Sequence, residues 1–323
     1  MGNKIKVGFL QSPAKVAIIL FILLEILTVI LQPSALSMSW INLKAEAAIT
    51  LLFAAIGETF VLLIGGIDLS IAGVISLTNS FSAVYMQDNI GSMIFISLVC
   101  VLIGALFGAA NGFVINRFHI QPFIVTFATW YIGGGIAYLI LPRDGGDVPT
   151  SFTYALTKRF FGGNVSIAVF IFIVCAILWL WFKKTKMGIN LYAVGSNSNA
   201  ASLNGVNVVH VKMFAYIASG IFAALSGVYR TAVVATGSPT GGESFFNEAI
   251  AAVVIGGTVL TGGKGGQMGT IVGVLVLRMI SDILVFAGVS SYWTTLFQGL
   301  LLVVAVLVSC VSEMIRERKE LME

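Results

Sequence analysis

The thirteen residues Val169-Phe-Ile-Phe-Ile-Val-Cys-Ala-Ile-Leu-Trp-Leu-Trp181 are apolar on every face of a helix. A helix at a water-exposed surface keeps a polar stripe, so a run like this belongs in lipid or deep in a very large core. Composition removes the second option. Of 323 residues, 58% are hydrophobic and 10% charged, and the mean hydropathy is +1.00, which is more apolar surface than one water-soluble core hides. A transmembrane β-barrel would show short alternating segments instead. The sequence predicts an all-α integral membrane protein.

A hydrocarbon layer ~30 Å thick takes roughly 20 apolar residues per helix. Such runs lie near 15–32, 46–64, 70–86, 92–115, 120–141, 165–182, 211–235, 246–261, 267–287 and 293–312. They predict a polytopic bundle of about ten transmembrane helices. If the spans alternate from a cytoplasmic N-terminus, one side collects Lys4, Lys6, Lys15, Arg117, Lys183, Lys184, Lys186, Lys212, Lys264, Arg316, Arg318 and Lys319. The other side receives Lys44, Arg143, Lys158 and Arg159. The positive-inside rule then places both termini in the cytoplasm. The apolar run after Met1 to Lys15 is too long for a signal segment and reads as an uncleaved first span. The net charge of +4 is mostly this cytoplasmic excess and gives no reason to expect nucleic acid. Cys100, Cys175 and Cys310 fall far apart within expected spans, without a disulfide framework or metal-ligand spacing.

Two segments interrupt this apolar pattern. Leu63-Ile-Gly-Gly-Ile-Asp-Leu-Ser70 and Val253-Val-Ile-Gly-Gly-Thr-Val-Leu-Thr-Gly-Gly-Lys-Gly-Gly266 put glycine pairs and polar atoms at membrane depth. Irregular backbone survives there only inside protein or beside a cavity, so both read as broken helices. Ionisable groups in such places cost several kcal/mol unless paired or facing a cavity. Glu58, Asp68, Arg230, Glu248, Arg278, Asp282 and, less strongly, Glu25 meet that description. Asp68 follows a glycine pair and precedes Ser70, so its carboxylate either caps the next helix or meets substrate. Glu58 precedes the first glycine pair much as Glu248 precedes the second. Arg278 and Asp282 are four residues apart on one helix face, which predicts an ion pair between them. Arg230, near the outer end of its run, is expected to snorkel to the interface.

Two connections are long. The outer one, Pro142 to Gly163, mixes turn formers, charges and aromatics and predicts a structured external segment. The inner one, residues 183–212, holds no acidic residue. There Ser196 or Asn197 is expected to cap a short helix running through Asn204 and ended by Gly205 in the left-handed conformation. Such a helix either docks a second protein or only links two spans. Nucleotide chemistry is not visible: glycine pairs surround Lys264, but Gln267 stands where a phosphate loop fails to match. The only histidines, His119 and His210, lie next to span ends and assemble no catalytic grouping.

The stretches Gly65-Gly-Ile-Asp-Leu-Ser70, Gly188 to Asn207, Glu248 to Gly265 and Gly288-Val-Ser-Ser-Tyr292 resemble the ribose-type permease subunits of bacterial ABC sugar importers. The match covers nearly the whole chain in order and spacing. The resemblance implies a single transmembrane permease domain over residues 1–323, in the bacterial cytoplasmic (inner) membrane. It implies a second permease subunit, two ATP-binding subunits that carry ATP and Mg, and an extracytoplasmic sugar-binding protein. No cofactor is expected on this chain, and it is not expected to be an enzyme. The coupling helix would comprise Ser196, Asn197, Ser198, Asn199, Ala200, Ala201, Ser202, Leu203, Asn204 and Gly205. Two departures stand out: Ser196-Asn-Ser-Asn199 lacks an acidic residue, and Glu248 stands where relatives often carry Asp, which suggests a matched ATPase partner.

A path for a neutral polyol should be weakly polar and release its cargo. The candidates are Glu58, Asp68, Ser70, Asn79, Asn111, Asn116, Thr126, Thr129, Glu248 and Thr258, with Thr261, Phe123 and Tyr131 nearby. Single Asn and Thr residues in membrane helices also serve to bond neighbouring helices. The expected mechanism is alternating access, driven by partner ATPases through the coupling helix. A permease for a nucleoside, a furanone signal or a branched-chain amino acid fits the same motifs. A proton-coupled secondary transporter using Glu58, Asp68 or Glu248 would need no ATPase.

Overall fold

Side-chain caps and glycine stops divide the apolar sequence into helices. The computed structural model describes residues 13–289 together with 293, 296, 299, 300, 303 and 307. Its helices are α1 (Pro13–Leu31), α2 (Met38–Leu63), α3 (Ser70–Tyr85), α4 (Ile90–Phe118) and α5 (Pro122–Ile140). After a short α6 (Thr150–Thr157) and a two-stranded hairpin, β1 (Arg159–Phe160) and β2 (Val165–Ser166), come α7 (Ile167–Phe182), α8 (Lys186–Ser196) and α9 (Ser198–Leu203). The set closes with α10 (Val208–Val234), α11 (Phe245–Ile255) and α12 (Gln267–Phe286). Ser37, Asn89, Thr185 and Asn207 each accept a backbone N–H two or three residues into the helix they precede. Pro122 opens α5 at a position that needs no donor.

Nine of the ten expected apolar runs are helical, and the tenth, 293–312, lies largely outside the described residues, as does Cys310. Five helices, α2, α4, α5, α10 and α12, are long and apolar enough to cross a membrane, and α7 with α8 makes a sixth bent by 78°. The run at 246–261 is a correction. Its helix stops at Ile255 after 11 residues. At 1.5 Å per residue that is roughly 16 Å, about half a bilayer.

The core centres on α2, which is buried along most of its length. Phe60 meets Trp179 and Phe182 of α7, and Phe214 and Phe222 of α10, with ring centroids 5.4–6.0 Å apart. Against α10 lies α4, where a Cβ on Gly104 or Gly108 would collide with the backbone of Gly220 or Tyr216. Small residues at four-residue spacing let these two backbones approach closely. At the opposite end from the two glycine breaks, Asn42 ties α2 to the hairpin. Its Nδ2 donates to the Asn164 carbonyl and its Oδ1 accepts from Ser166 N, both at 2.8 Å. The connection from Pro142 to Gly163 is structured as expected, in α6 and the hairpin that follows it.

Candidate functional site

Both glycine breaks are helix stops of one kind. After α2, Gly65 (φ 74°) donates to the Leu62 carbonyl and Gly66 to the Val61 carbonyl. After α11, Gly257 (φ 89°) donates to the Val254 carbonyl and Thr258 to the Val253 carbonyl. This is the paired C-terminal bonding that a left-handed glycine permits. The Ile-Gly-Gly strings look alike but work one residue out of register, because the left-handed position is the first glycine of one pair and the second of the other.

The two breaks touch. Gly263 N donates to the Leu63 carbonyl at 2.9 Å, and Gly262 packs on the backbone of Gly65. Gly195, near the end of α8, lies so close that any Cβ would strike Leu63 O and Gly263 N. Tyr192 of the same helix donates to the Gly265 carbonyl at 2.8 Å. Two irregular segments, 64–69 and 256–266, thus meet the end of helix α8 backbone to backbone.

The expected short helix begins one residue later than its earliest boundary. Asn197, in an extended conformation, is the cap: its Oδ1 accepts from Ala200 N at 2.9 Å. Ser196 belongs instead to α8, whose hydrogen-bonded run from its Thr185 cap continues that far. Gly205 (φ 81°) donates to the Ser202 carbonyl and Val206 to the Ala201 carbonyl, the stop foreseen at that glycine. On α9 and its flanks Ala201 faces inward, whereas Leu203 is 90% exposed.

Most of the expected path residues are sealed inside the chain and bonded to it. Asp68 Oδ1 accepts from Ser70 N at 3.0 Å and from Ser70 Oγ at 2.5 Å, so Asp68 does cap α3. Asn111 Nδ2 donates to Ser70 Oγ, and Thr129 Oγ1 donates to Asn111 Oδ1, both at 2.8 Å. Asp68 N donates to Glu58 Oε1 at 3.2 Å across the break. Thr126 and Asn116 bond the carbonyls of Pro122 and Gly112 one turn earlier, and Thr258 Oγ1 accepts from Gly266 N. Asn79 fastens the segment after α10: its Nδ2 donates to Thr231 Oγ1 and the Thr236 carbonyl, and its Oδ1 accepts from Ser238 N.

That segment re-enters the bundle. Gly237 packs on Ala83 near one end of α3, and Gly242 packs on Ala72 and Ile75 near the other. The chain therefore descends along α3 by roughly 12–16 Å before α11 starts. Gly242 N donates to Ser76 Oγ at 2.9 Å at the bottom of this descent. Around the start of α11, Glu243, Ser244 and Asn247 are exposed, and Phe246 meets Trp130 of α5 with centroids 4.8 Å apart.

Glu248, also on α11, brings a correction. Arg278 pairs with Glu248 at 3.2 Å and not with Asp282, which takes Lys44 of α2 at 2.5 Å. Four-residue spacing on α12 left each side chain free to turn to a different neighbouring helix, and a full charge across the interface outweighs a local pair of about 0.2–0.5 kcal/mol. Arg230, expected to snorkel, is half-buried with its guanidinium 5.7 Å from the Phe245 ring, and Arg278 lies 5.9 Å from the same ring. Ser244, Asn247 and the Arg278 partnership were missed by sequence reading. The signal available was the short apolar length between Ala235 and Gly256, too small for a loop and a full span.

Comparison with known proteins agrees with this architecture. Residues 44–306 match the family described as branched-chain amino acid transport system / permease component. The chain is 35% identical to the ribose import permease protein RbsC of Haemophilus influenzae over 297 residues, 90% of each chain. It is 33% identical to the D-allose transport system permease protein AlsC of Escherichia coli over 81% of its own length and 80% of that protein's. The fructose import permease protein FruG of Bifidobacterium longum is 29% identical over 91% of this chain and 89% of its own. No solved structure matches. The chain belongs to the branched-chain amino acid transport system / permease component family, among membrane permeases of ABC transporters.

Proposed function

We propose that this chain is the membrane-spanning permease subunit of an ATP-driven importer of a monosaccharide, a ribose-like pentose or a hexose. The observation that carries the reading is the junction at Gly195. The loop that bears the capped helix α9 is packed directly on both helix breaks, so a push on α9 reaches the interior without passing through flexible chain. Relatives named for ribose, allose and fructose import support a simple sugar as cargo.

In this reading both termini and the 183–212 loop are cytoplasmic, in the inner membrane of a bacterium. Two ATP-binding subunits, holding ATP and Mg, receive α9 with Leu203 as its apolar knob. A second permease subunit completes the path, and an extracytoplasmic binding protein delivers the sugar. The polar strip of Ser244, Asn247 and the Glu248–Arg278 pair, with Trp130 beside it, supplies hydrogen bonds and a ring face suited to a polyol. Glu58, Asp68, Ser70, Asn79, Asn111, Asn116, Thr126, Thr129 and Thr258 shape that path by holding the breaks and the re-entrant segment.

The test is reconstitution of the chain with its co-purifying subunits in proteoliposomes. Uptake of a labelled sugar that needs ATP and the binding protein is the expected result. Uptake by the chain alone, insensitive to ATP and abolished by an uncoupler, would replace this reading with a secondary transporter.

A further inference from the structure

One face of α7 is bare hydrocarbon. Phe170, Ile173, Val174, Ile177, Leu178 and Trp181 recur at three- and four-residue spacing and are 37% to 67% exposed. In a membrane permease such a stripe meets acyl chains and not water. Trp181, the most exposed of the six, ends it, and a tryptophan at a helix end sits at the level of the lipid headgroups.

Three cations follow at once. Lys183, Lys184 and Lys186 are all exposed. Among the described residues the ion pairs are Lys44–Asp282, Arg159–Glu46 and Arg278–Glu248, so none of the three lysines is spent on a carboxylate there. Lys184 N donates to the Trp181 carbonyl at 3.1 Å, which continues the turn and sets Lys184 after Trp181 on the same stripe.

The corner that carries them is fixed. Thr185 Oγ1 donates to the Phe182 carbonyl at 2.7 Å and accepts from Gly188 N at 3.2 Å, and Gly188 lies so close to the backbone of Phe182 and Lys183 that no Cβ fits. The chain bends there by 78°, so α8 leaves the spanning direction of α7 and runs close to the plane of the bilayer surface. Gly188, Leu191 and Val194 of α8 are buried, whereas Ile189 is 58% exposed. A helix in that plane dips its exposed apolar side chain among the headgroups, while lysines beside it reach the phosphates.

We propose that Lys183, Lys184 and Lys186, with Trp181 beneath them, form a binding site for the headgroup of an anionic phospholipid, and that this lipid holds the start of α8. The occupant is lipid and not an acidic groove of another protein, because the cations crown an exposed apolar stripe that a groove fitted to the lysines alone would leave uncovered. Since α8 ends at Gly195 on the two helix breaks, the lipid steadies that junction from its far end. The site does not depend on which solute the permease carries or on what drives it.

The test is tryptophan quenching of the intact chain in phosphatidylcholine nanodiscs that contain either brominated phosphatidylglycerol or brominated phosphatidylcholine at equal mole fraction. The quenching lost in Trp181→Phe is the signal from this site. In the wild type the glycerol lipid should bind there at least about 10-fold better than the choline lipid. That preference should shrink to about 2-fold in 1 M salt, where the Debye length is about 3 Å. Combining Lys183→Gln, Lys184→Gln and Lys186→Gln should abolish it, with an unfolding midpoint within about 2 °C of wild type to show that the fold is intact. Lys184→Gln alone, should the triple variant fail to insert, should lower it about 3- to 5-fold. Lys212→Gln with Lys264→Gln should keep it. A preference that survives in the triple variant, or that the Lys212 and Lys264 changes remove equally, would show diffuse surface charge and overturn the proposal. No quenching of Trp181 by either lipid would show that protein covers this face and would overturn it as well.

Discussion

The backbone N–H of Gly263 donates to the carbonyl of Leu63 at 2.9 Å, joining two helix breaks that are 200 residues apart in the chain. Leu63 ends α2, and its carbonyl would be an orphan acceptor at the end of that helix. The second break supplies the donor. Neither irregular segment satisfies itself at this depth, and each completes the other.

Gly195 tests this junction directly. A methyl group there strikes Leu63 O and Gly263 N, both backbone atoms that cannot swing away. Gly195→Ala should lower stability by about 1–3 kcal/mol, the usual penalty of overpacking, and Gly195→Val by more. In the reconstituted transporter, sugar uptake should fall further than ATP hydrolysis. Unchanged uptake with Gly195→Val would disprove the mechanical role of the contact.

Gly205 reports on the lever itself. Its φ of 81° is strained for a β-branched residue. A side chain there meets nothing else within 4 Å, so space does not oppose the change. Gly205→Val should leave membrane insertion intact, distort the end of α9, and separate ATP hydrolysis from uptake. ATPase activity stimulated by the loaded binding protein is the measurement, and wild-type stimulation would count against the idea.

Asn79 should prove structural. Its side chain makes three hydrogen bonds that hold the segment descending towards α11. Asn79→Ala removes all three and strands Ser238 N and the Thr236 carbonyl, while Thr231 Oγ1 keeps its bond to the Gly227 carbonyl, at roughly 2–4 kcal/mol in total for bonds of about 1 kcal/mol with buried orphans. Limited proteolysis between Ala235 and Ser244 should accelerate, which a residue that only touched substrate would not cause.

Glu248 and Arg278 form an ion pair whose side chains are 11% and 24% exposed. A double-mutant cycle with Glu248→Gln and Arg278→Gln should return a coupling of about 1–3 kcal/mol by thermal unfolding. Arg278→Gln with Asp282→Asn should be additive, since the latter acts through Lys44.

Asn247 is the counterpart proposed for the path. It is exposed at the start of α11 and has no bond to maintain the fold among those described. Asn247→Ala should leave the unfolding midpoint within about 1 °C, as surface substitutions do, and lower sugar flux. A lost midpoint with normal flux would remove Asn247 from the path.

Helix positions were legible because lipid leaves a chain few choices. Apolar runs mark spans, and the glycines at 65, 257 and 205 mark stops, since a left-handed residue is needed to close the last turn. The cap at Asn197 could be narrowed only to Ser196 or Asn197, because either residue type accepts the bond, and the backbone angle at Asn197 decides between them. Asp68 was recognisable as a cap from its place before Ser70.

What the sequence by itself determined is therefore local: that the chain is helical and membrane-embedded, where its helices break, and which polar residues lie deep. Partner choice was decided by the tertiary structure. Arg278 has Asp282 one turn away and takes Glu248, while Asn79 and Asn111 bond to other helices and not to a cavity. Four-residue spacing fixes that two side chains share a face, but at low dielectric a group goes to whichever partner satisfies it most completely, and the packing of distant helices sets which partners are within reach.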